Sequence, residues 1–270
     1  MREGTTASNM KLALHGATGR MGRTIAALAH AAGDIQIVGA AAAATDPNQG
    51  RDLGELAGTG SLGVAVTADV ASSLLGADVV IDFSIASAVK PLVALAVRAK
   101  VAIVSGTTNL DDATRAALAS AAETVPVLWA PNMSLGVQVL AELVEQAVRR
   151  LGPGFDAEIV EIHHRRKVDS PSGTAKRLAD AVRRVRPDSL ELHGRDGDVG
   201  ARTARELAVY GVRGGDVIGD HTVYLLGQGE RIELTHRASS RDLFAHGALR
   251  AASFLAGKKP GTYSIADVLG

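Results

Sequence analysis

Five short apolar runs punctuate the first half of this chain, at residues 11–14, 35–40, 77–83, 101–105 and 125–129. They are apolar at nearly every position, so each must be covered on both faces. Helix-patterned segments at 24–32, 86–99 and 111–123 lie between them. Strands and helices alternating in this way pack as a doubly wound parallel sheet, because each crossover helix shields one face of the sheet. Ligands of such sheets sit beyond the carboxyl ends of the strands. Four of the loops that follow the runs carry small or polar groups, and function is to be sought there.

The first loop is His15-Gly16-Ala17-Thr18-Gly19-Arg20-Met21-Gly22-Arg23, leading into an alanine-rich helix. Strand, glycine turn and helix open a βαβ unit of Rossmann-like type. The glycine spacing is G-x-x-G-x-x-G rather than the commoner G-x-G-x-x-G, but the physics is shared. A turn without side chains lets backbone N–H groups and a helix start approach a pyrophosphate. Arg20 and Arg23 add positive charge there. The other loops are Phe83-Ser84, Gly106-Thr107-Thr108 and Ala130-Pro131-Asn132-Met133. One feature conflicts with this reading. An acid at the end of the second strand should take the adenosine ribose hydroxyls. The strand instead runs into alanines at 40–44, and the nearest acid is Asp46. Either Asp46 swings back or the ribose is held without a carboxylate. No arginine or lysine before Arg51 is placed to bind a 2′-phosphate, so the choice between NADH and NADPH stays open.

From residue 135 the pattern changes. Residues 135–151 form an amphipathic helix, with Val137, Leu140, Val144 and Val148 at helical spacing, and Gly152-Pro153-Gly154 breaks it. The runs at 157–164, 206–213, 221–226 and 231–236 alternate polar and apolar residues, with one clear helix at 173–185. Alternation means a sheet covered on one face, so a smaller α+β region with a mixed open sheet is expected, its uncovered face a natural subunit interface. A helix at 242–255 and a tail at 258–270 follow, while 46–63 reads as a loop and polar residues 1–9 as disordered. At 270 residues, 46% hydrophobic, the chain can build two modest cores. A formal net charge of +0 and 3% aromatic residues give no reason to expect nucleic acid. The lack of cysteine excludes disulfides, a thiolate nucleophile and cysteine metal sites. No apolar run is long enough for a membrane span and the first residues lack a signal-peptide core, so a cytoplasmic protein is expected.

The densest chemistry lies at 161–176, EIHHRRKVDSPSGTAK. Two histidines end a strand-like run, three cations follow, and a turn at 169–173 opens a helix. Protonatable groups, cations and helix-start N–H groups converge, which suits an anionic substrate that must also receive a proton. Successive strand residues face opposite ways, so His163 and His164 share a pocket only where the strand ends. One histidine on the ligand with the other supporting it, or both turned in by the bend, are both consistent with the pattern. The rival readings are a solvated basic loop and a metal held by the histidine pair. No third ligand is evident nearby, and no metal is expected.

This stretch resembles the signature of the 4-hydroxy-tetrahydrodipicolinate reductase family, also called dihydrodipicolinate reductases. GATGRMGR, Gly106-Thr107-Thr108, Ala130-Pro131-Asn132-Met133 and VRGGDVIGDHTVYLLGQGERIELTHRASSR resemble that family in the same order, so the likeness spans 11–269. The resemblance implies a reductase that uses NADH or NADPH on a cyclic dicarboxylate. It implies His163 as proton donor with Lys167 as catalytic partner, and substrate binding by His164, Gly173 and Thr174. Cofactor contacts would come from Gly16, Ala17, Thr18, Gly19, Arg20, Met21, Gly106, Thr107, Thr108, Ala130, Pro131, Asn132 and Met133. It further implies a discontinuous dinucleotide domain (1–130 and 241–270), a substrate and oligomerisation domain (131–240), and a homotetramer. Hinge closure between the domains is expected as well, because the hydride donor and the proton donor would sit on different domains and must meet. The departure is at Ala43 and Ala44, where the family commonly places an acid and sometimes an arginine that reads a 2′-phosphate. Two other readings stay open: a different two-domain dehydrogenase acting on an amino or keto acid, and a nucleotide sensor without turnover.

Overall fold

The computed structural model of the chain describes residues 10–270, and the expectation for 1–9 lies outside the described residues. The chain divides into two compact units, one running through Met133 and resuming at Asp242–Gly270, the other Ser134–Arg241. The first unit opens with β1 (Met10–His15), α1 (Arg20–Ala32), β2 (Ile35–Ala41), α2 (Leu53–Ala57), β3 (Val66–Thr67) and α3 (Val70–Ser73). It continues with β4 (Val79–Asp82), α4 (Ala86–Ala99), β5 (Ala102–Ser105), α5 (Asp112–Ala121) and β6 (Pro126–Trp129). Every residue of β4 and β5 is buried, as continuous apolar strands between two helix layers require. Val80, Ile103 and Val127 of the sheet pack with Leu92, Val93 and Leu118 of α4 and α5. The helix α1 turns Ile25, Ala26 and Ala29 inward and stops at Gly33, whose φ of 77° is the left-handed C-cap that glycine adopts without strain.

The second unit comprises α6 (Leu135–Leu151), β7 (Asp156–His163), α7 (Gly173–Arg183), β8 (Leu190–Leu192), β9 (Glu206–Arg213), β10 (Asp220–Leu226) and β11 (Arg231–Arg237). The strand order is β11-β10-β7-β9-β8. Its β10 runs antiparallel to β7 and β11, while β7, β9 and β8 run parallel. The sheet is therefore mixed, as expected. Ser134 and Ser172 cap α6 and α7, each accepting the backbone N–H three residues on. Val144, Val148, Leu178 and Val182 from these helices pack on Ile159, Val209 and Val223. In β10 this buries His221, Val223 and Leu225 and leaves Asp220, Thr222, Tyr224 and Leu226 toward the other face.

The chain then returns to the first unit through α8 (Asp242–Leu255), β12 (Gly261–Tyr263) and α9 (Ile265–Leu269). The first sheet has seven strands in the order β12-β6-β5-β4-β1-β2-β3, every pair parallel. Two expectations need correction. Residues 46–63 are not all loop: Asp52 accepts the N–H groups of Gly54 and Glu55 and starts the five-residue α2. The tail at 258–270 supplies an edge strand and a helix. Elements this short carry too few residues for hydrophobic periodicity to register.

Candidate active site

The first unit gathers its candidate residues along one edge of the sheet. In register, Ala41 lies beside His15, His15 beside Asp82, Asp82 beside Ser105 and Ser105 beside Trp129. The loops holding Gly16–Met21, Gly106–Thr108 and Ala130–Met133 therefore leave neighbouring strand ends. The order turns at β1, which has β2 on one side and β4 on the other. A crevice at this switch point is where doubly wound sheets bind their ligands.

The glycine loop is close-packed. Gly16 has φ 76°, and a Cβ there would lie 2.6 Å from the Phe83 carbonyl oxygen. A Cβ on Gly22 would meet the Ala17 carbonyl oxygen at 2.4 Å, which lets α1 start tight against the loop. Arg20 is the first residue of α1 and Gly19 its N-cap, without a side chain to close the helix start. First-turn N–H groups of a helix have no intrahelical acceptor, so this cradle fits a pyrophosphate. Asp46 does return: its Oδ2 accepts the Thr18 hydroxyl at 2.5 Å and its Oδ1 the Asn48 N–H at 2.8 Å. These bonds, Thr18 foremost, hold its carboxyl below the usual carboxylate range. The run of alanines thus leads to a carboxylate against the glycine loop, several residues later than expected. Among the other loops, a Cβ on Gly106 would strike the Phe83 ring at 2.3 Å. Thr108 and Pro131 are exposed, and Ala130, Met133 and Thr107 are buried.

Asp82, fully buried at the end of β4, ties these loops together. It pairs with His15 Nδ1 at 2.8 Å and accepts hydroxyls from Ser84 at 2.6 Å and from Ser105 and Thr107 at 2.7 Å. Burial would raise its pKa, but the bonds from His15 and the serines more than offset that and hold it low. Thr107 in turn accepts Trp129 Nε1–H on its carbonyl at 2.9 Å.

In the second unit β7 ends at His163, so His164 lies in the bend. His163 is buried and its Nδ1 lies 2.5 Å from Oε2 of Glu161, which is fully buried two residues earlier on the same face. Arg213 grips the same carboxylate with both Nη atoms, at 2.8 Å and 2.7 Å, and the Ser172 N–H reaches Oε1 at 3.1 Å. This last bond ties the N-cap of α7, the helix that opens with Gly173 and Thr174, to the carboxylate that His163 contacts. His221 stacks edge-on to His163 at 5.0 Å and meets the Ser172 hydroxyl at 3.0 Å. Burial, then His163, pushes the His221 pKa down to about 3, so the ring is neutral. Glu161 would be raised by burial, yet Arg213 and His163 hold it low. His163 is lowered, chiefly by burial; Glu161 opposes this, while Lys167 and Arg213 add to it. Lys167 binds both oxygens of Asp169, at 2.8 Å and 3.0 Å. His164 receives an Arg241 N–H at 3.3 Å. Among the described residues no cluster of three or more metal-binding side chains occurs.

This arrangement, a dinucleotide cradle on one unit and a buried histidine–carboxylate pair among cations on the other, coincides with two sequence profiles. Dihydrodipicolinate reductase, N-terminus, matches residues 10–133, and dihydrodipicolinate reductase, C-terminus, matches 136–269. The chain belongs to the dihydrodipicolinate reductase family. The 4-hydroxy-tetrahydrodipicolinate reductase of Anaeromyxobacter dehalogenans is 49% identical over 264 residues, 96% of this chain and 97% of that one. The enzyme of that name from Myxococcus xanthus is 46% identical, covering 97% and 98%. A dipicolinate-bound dihydrodipicolinate reductase from Paenisporosarcina sp. TG-14 superposes with a TM-score of 0.76 at 22% identity, covering 96% of this chain and 98% of that one, and shares the fold.

Sequence reasoning about this reductase missed Glu161, Arg213, His221 and the Asp82 cluster. Glu161 was within reach: strand alternation puts it on the face of His163. Arg213 and His221 stand opposite His163 and Glu161 only through the pairing of β7 with β9 and β10, which one sequence does not reveal.

Proposed function

We propose that the chain reduces 4-hydroxy-tetrahydrodipicolinate to tetrahydrodipicolinate with loss of water, using NADH or NADPH, in the diaminopimelate route to lysine. Family membership supports the reaction. The observation that carries the chemistry is His163 at a strand end, backed by Glu161 and flanked by Lys167 and the start of α7. The bound cofactor supplies a hydride to the substrate. The protein must bind two carboxylates, shield the ring from water and deliver one proton.

In this reading His163 donates the proton and Lys167 is its catalytic partner. His164 binds substrate, and the Gly173 and Thr174 N–H groups at the start of α7 take a carboxylate, where the helix dipole favours an anion. The lowered pKa of His163 has a functional consequence. An arriving dicarboxylate opposes the effect of Lys167 and Arg213, raising the fraction of imidazolium when substrate is present. Substrate also competes with Asp169 for the Lys167 ammonium. Gly16–Met21, Gly106–Thr108 and Ala130–Met133 hold the cofactor, which makes the first unit the dinucleotide domain and the second the substrate and oligomerisation domain. Asp46 takes the adenosine ribose hydroxyls in place of the missing strand-end acid, and its charge disfavours a 2′-phosphate. No helix among the described residues is long and apolar enough to cross a membrane. We place the enzyme in the cytoplasm as a homotetramer assembled through the open face of the second sheet.

The test is the loss of reduced-cofactor absorbance, with NADH and NADPH in parallel. The unstable substrate is generated in place from pyruvate and aspartate semialdehyde by the upstream synthase. Oxidation that requires the synthase is expected. Folded protein that oxidises neither cofactor would overturn the assignment.

A further inference from the structure

The carboxylate beneath His163 is too elaborately held to be a filler of the sheet. Glu161 has no exposed surface, and all its polar contacts are strong donors: His163 Nδ1, both Nη atoms of Arg213 and the Ser172 N–H. A buried carboxylate is costly unless it is paired this fully. The strand opposite makes room for it. Gly211 of β9 stands in register with Glu161, and a Cβ there would lie 3.1 Å from Glu161 Oε1 and 2.3 Å from Ser170 Oγ. Arg213 is anchored in turn, donating to the Asp169 carbonyl at 2.7 Å. A second glycine lies at the other end of the imidazole: a Cβ on Gly219 would sit 3.0 Å from His163 Nε2.

We infer that Glu161 is the positioning residue of the proton step, locking His163 as the Nδ1–H tautomer while Arg213 keeps Glu161 ionised, so that Nε2 alone exchanges the proton. The inference rests on the reading of His163 as proton donor. An ionised carboxylate only accepts, so the hydrogen of this bond belongs to Nδ1. In the imidazolium the second hydrogen is on Nε2. On transfer the Nε2–H bond breaks, the substrate, for which bound NADH or NADPH would supply the hydride, takes the proton, and neutral imidazole remains with Nδ1–H intact. Water then restores Nε2–H. The charged or titratable groups facing His163 are Glu161 on its own strand, Arg213 on β9, His221 on β10 and Lys167 in the following bend, itself paired with Asp169. Of these only Glu161 favours the imidazolium, so its charge sets the pH at which the donor empties.

Two measurements test this. In the wild-type protein with ¹⁵N-labelled histidine, the His163 signals, assigned by their loss in H163Q, should show a protonated Nδ1 and a pyridine-type Nε2 in the neutral form. The reverse tautomer would overturn the inference, and this readout does not depend on any variant at Glu161 folding. In Glu161→Gln, kcat should fall about 100-fold. The alkaline limb of its kcat/KM profile should move to lower pH, and calorimetric cofactor affinity should not change. Glu161→Asp, which keeps the charge, should restore the limb toward its wild-type position. A wild-type limb in folded E161Q would sink the inference while leaving the donor reading intact, whereas full activity in H163Q would sink the donor reading itself.

Discussion

Among the described residues each unit buries one histidine–carboxylate pair, and in each the histidine is the last residue of a strand: His15 on β1 with Asp82, His163 on β7 with Glu161. Both carboxylates have no exposed surface and both are held in the charged form. The difference lies in what else touches them. Asp82 spends its remaining lone pairs on the hydroxyls of Ser84, Ser105 and Thr107, neutral donors from successive strand ends. Glu161 spends its own on a guanidinium and on the backbone at a helix start, with an ammonium nearby. Neutral partners make a tie between loops, whereas cationic partners make an electrostatic site that an anion can enter. In the proposed reading a histidine and a carboxylate thus serve as scaffold in one unit and as proton machinery in the other.

If that contrast holds, the largest effects on turnover belong to the second pair. His163→Ala and Lys167→Ala should each lower kcat by about 100-fold or more with the fold intact by circular dichroism. Near-wild-type turnover in both would erase the distinction. The first pair should answer in stability. Asp82→Ala leaves a histidine and three hydroxyls without their shared acceptor, and should cost about 3 kcal/mol in denaturant unfolding. It should also weaken calorimetric cofactor binding, because Thr107 loses its anchor. An unchanged unfolding midpoint would mean that the Asp82 cluster is not a tie.

How much of this was legible in the sequence follows the same division. Continuous apolar runs fixed the parallel sheet, since burial on both faces leaves an unmistakable composition. The helices 86–99, 135–151 and 242–255 were readable at their observed limits because amphipathic patterns this long carry their own register. The strands β3, β8 and β12, of two or three residues, are specified by their neighbours rather than by themselves. At the site, residues clustered along the chain were visible: His163, His164, Lys167 and the turn into α7. Arg213 and His221 were not, because strand pairing brings them from fifty or so residues away. The Asp46 question was posed by the sequence, but only the turn that folds 43–50 back onto Thr18 answers it.

His221 gives a third comparison, since its ring packs edge-on against His163 at 5.0 Å and is itself neutral. Its pKa is about 3 in the folded protein, against about 6.5 in the unfolded chain. Below about 6.5 the unfolded state therefore binds a proton that the folded state refuses. The stability involved is fully present above that pH and is lost as pH falls toward about 3. The expected slope between pH 6 and 4 is about 1.4 kcal/mol per pH unit for one such histidine. His221→Gln should flatten it by roughly that amount in urea titrations at fixed salt. An equal slope in wild type and variant would mean that His221 is protonated in the fold, and the neutral partner assigned to Ser172 would be wrong.

The smallest effect concerns Asp46, which in the proposed reading holds the ribose and moves no proton. Its carboxylate stands against the glycine loop through Thr18, with Arg23 donating to the Thr18 carbonyl at 2.7 Å. A ribose diol would find one ionised acceptor there, and a 2′-phosphate would meet a like charge. NADH should therefore be the better cofactor. Asp46→Ala should raise KM for NADH by about 3- to 10-fold, the worth of one exposed charge-assisted hydrogen bond, and narrow or invert the preference over NADPH. Because Asp46 is not among the groups that chiefly shift His163, the alkaline limb of kcat/KM should stay where it is. A limb that moved in Asp46→Ala would show that the two units share one electrostatic field. A wild-type preference for NADPH would instead show that Arg23 or Arg51 reads the phosphate and that Asp46 serves only the loop.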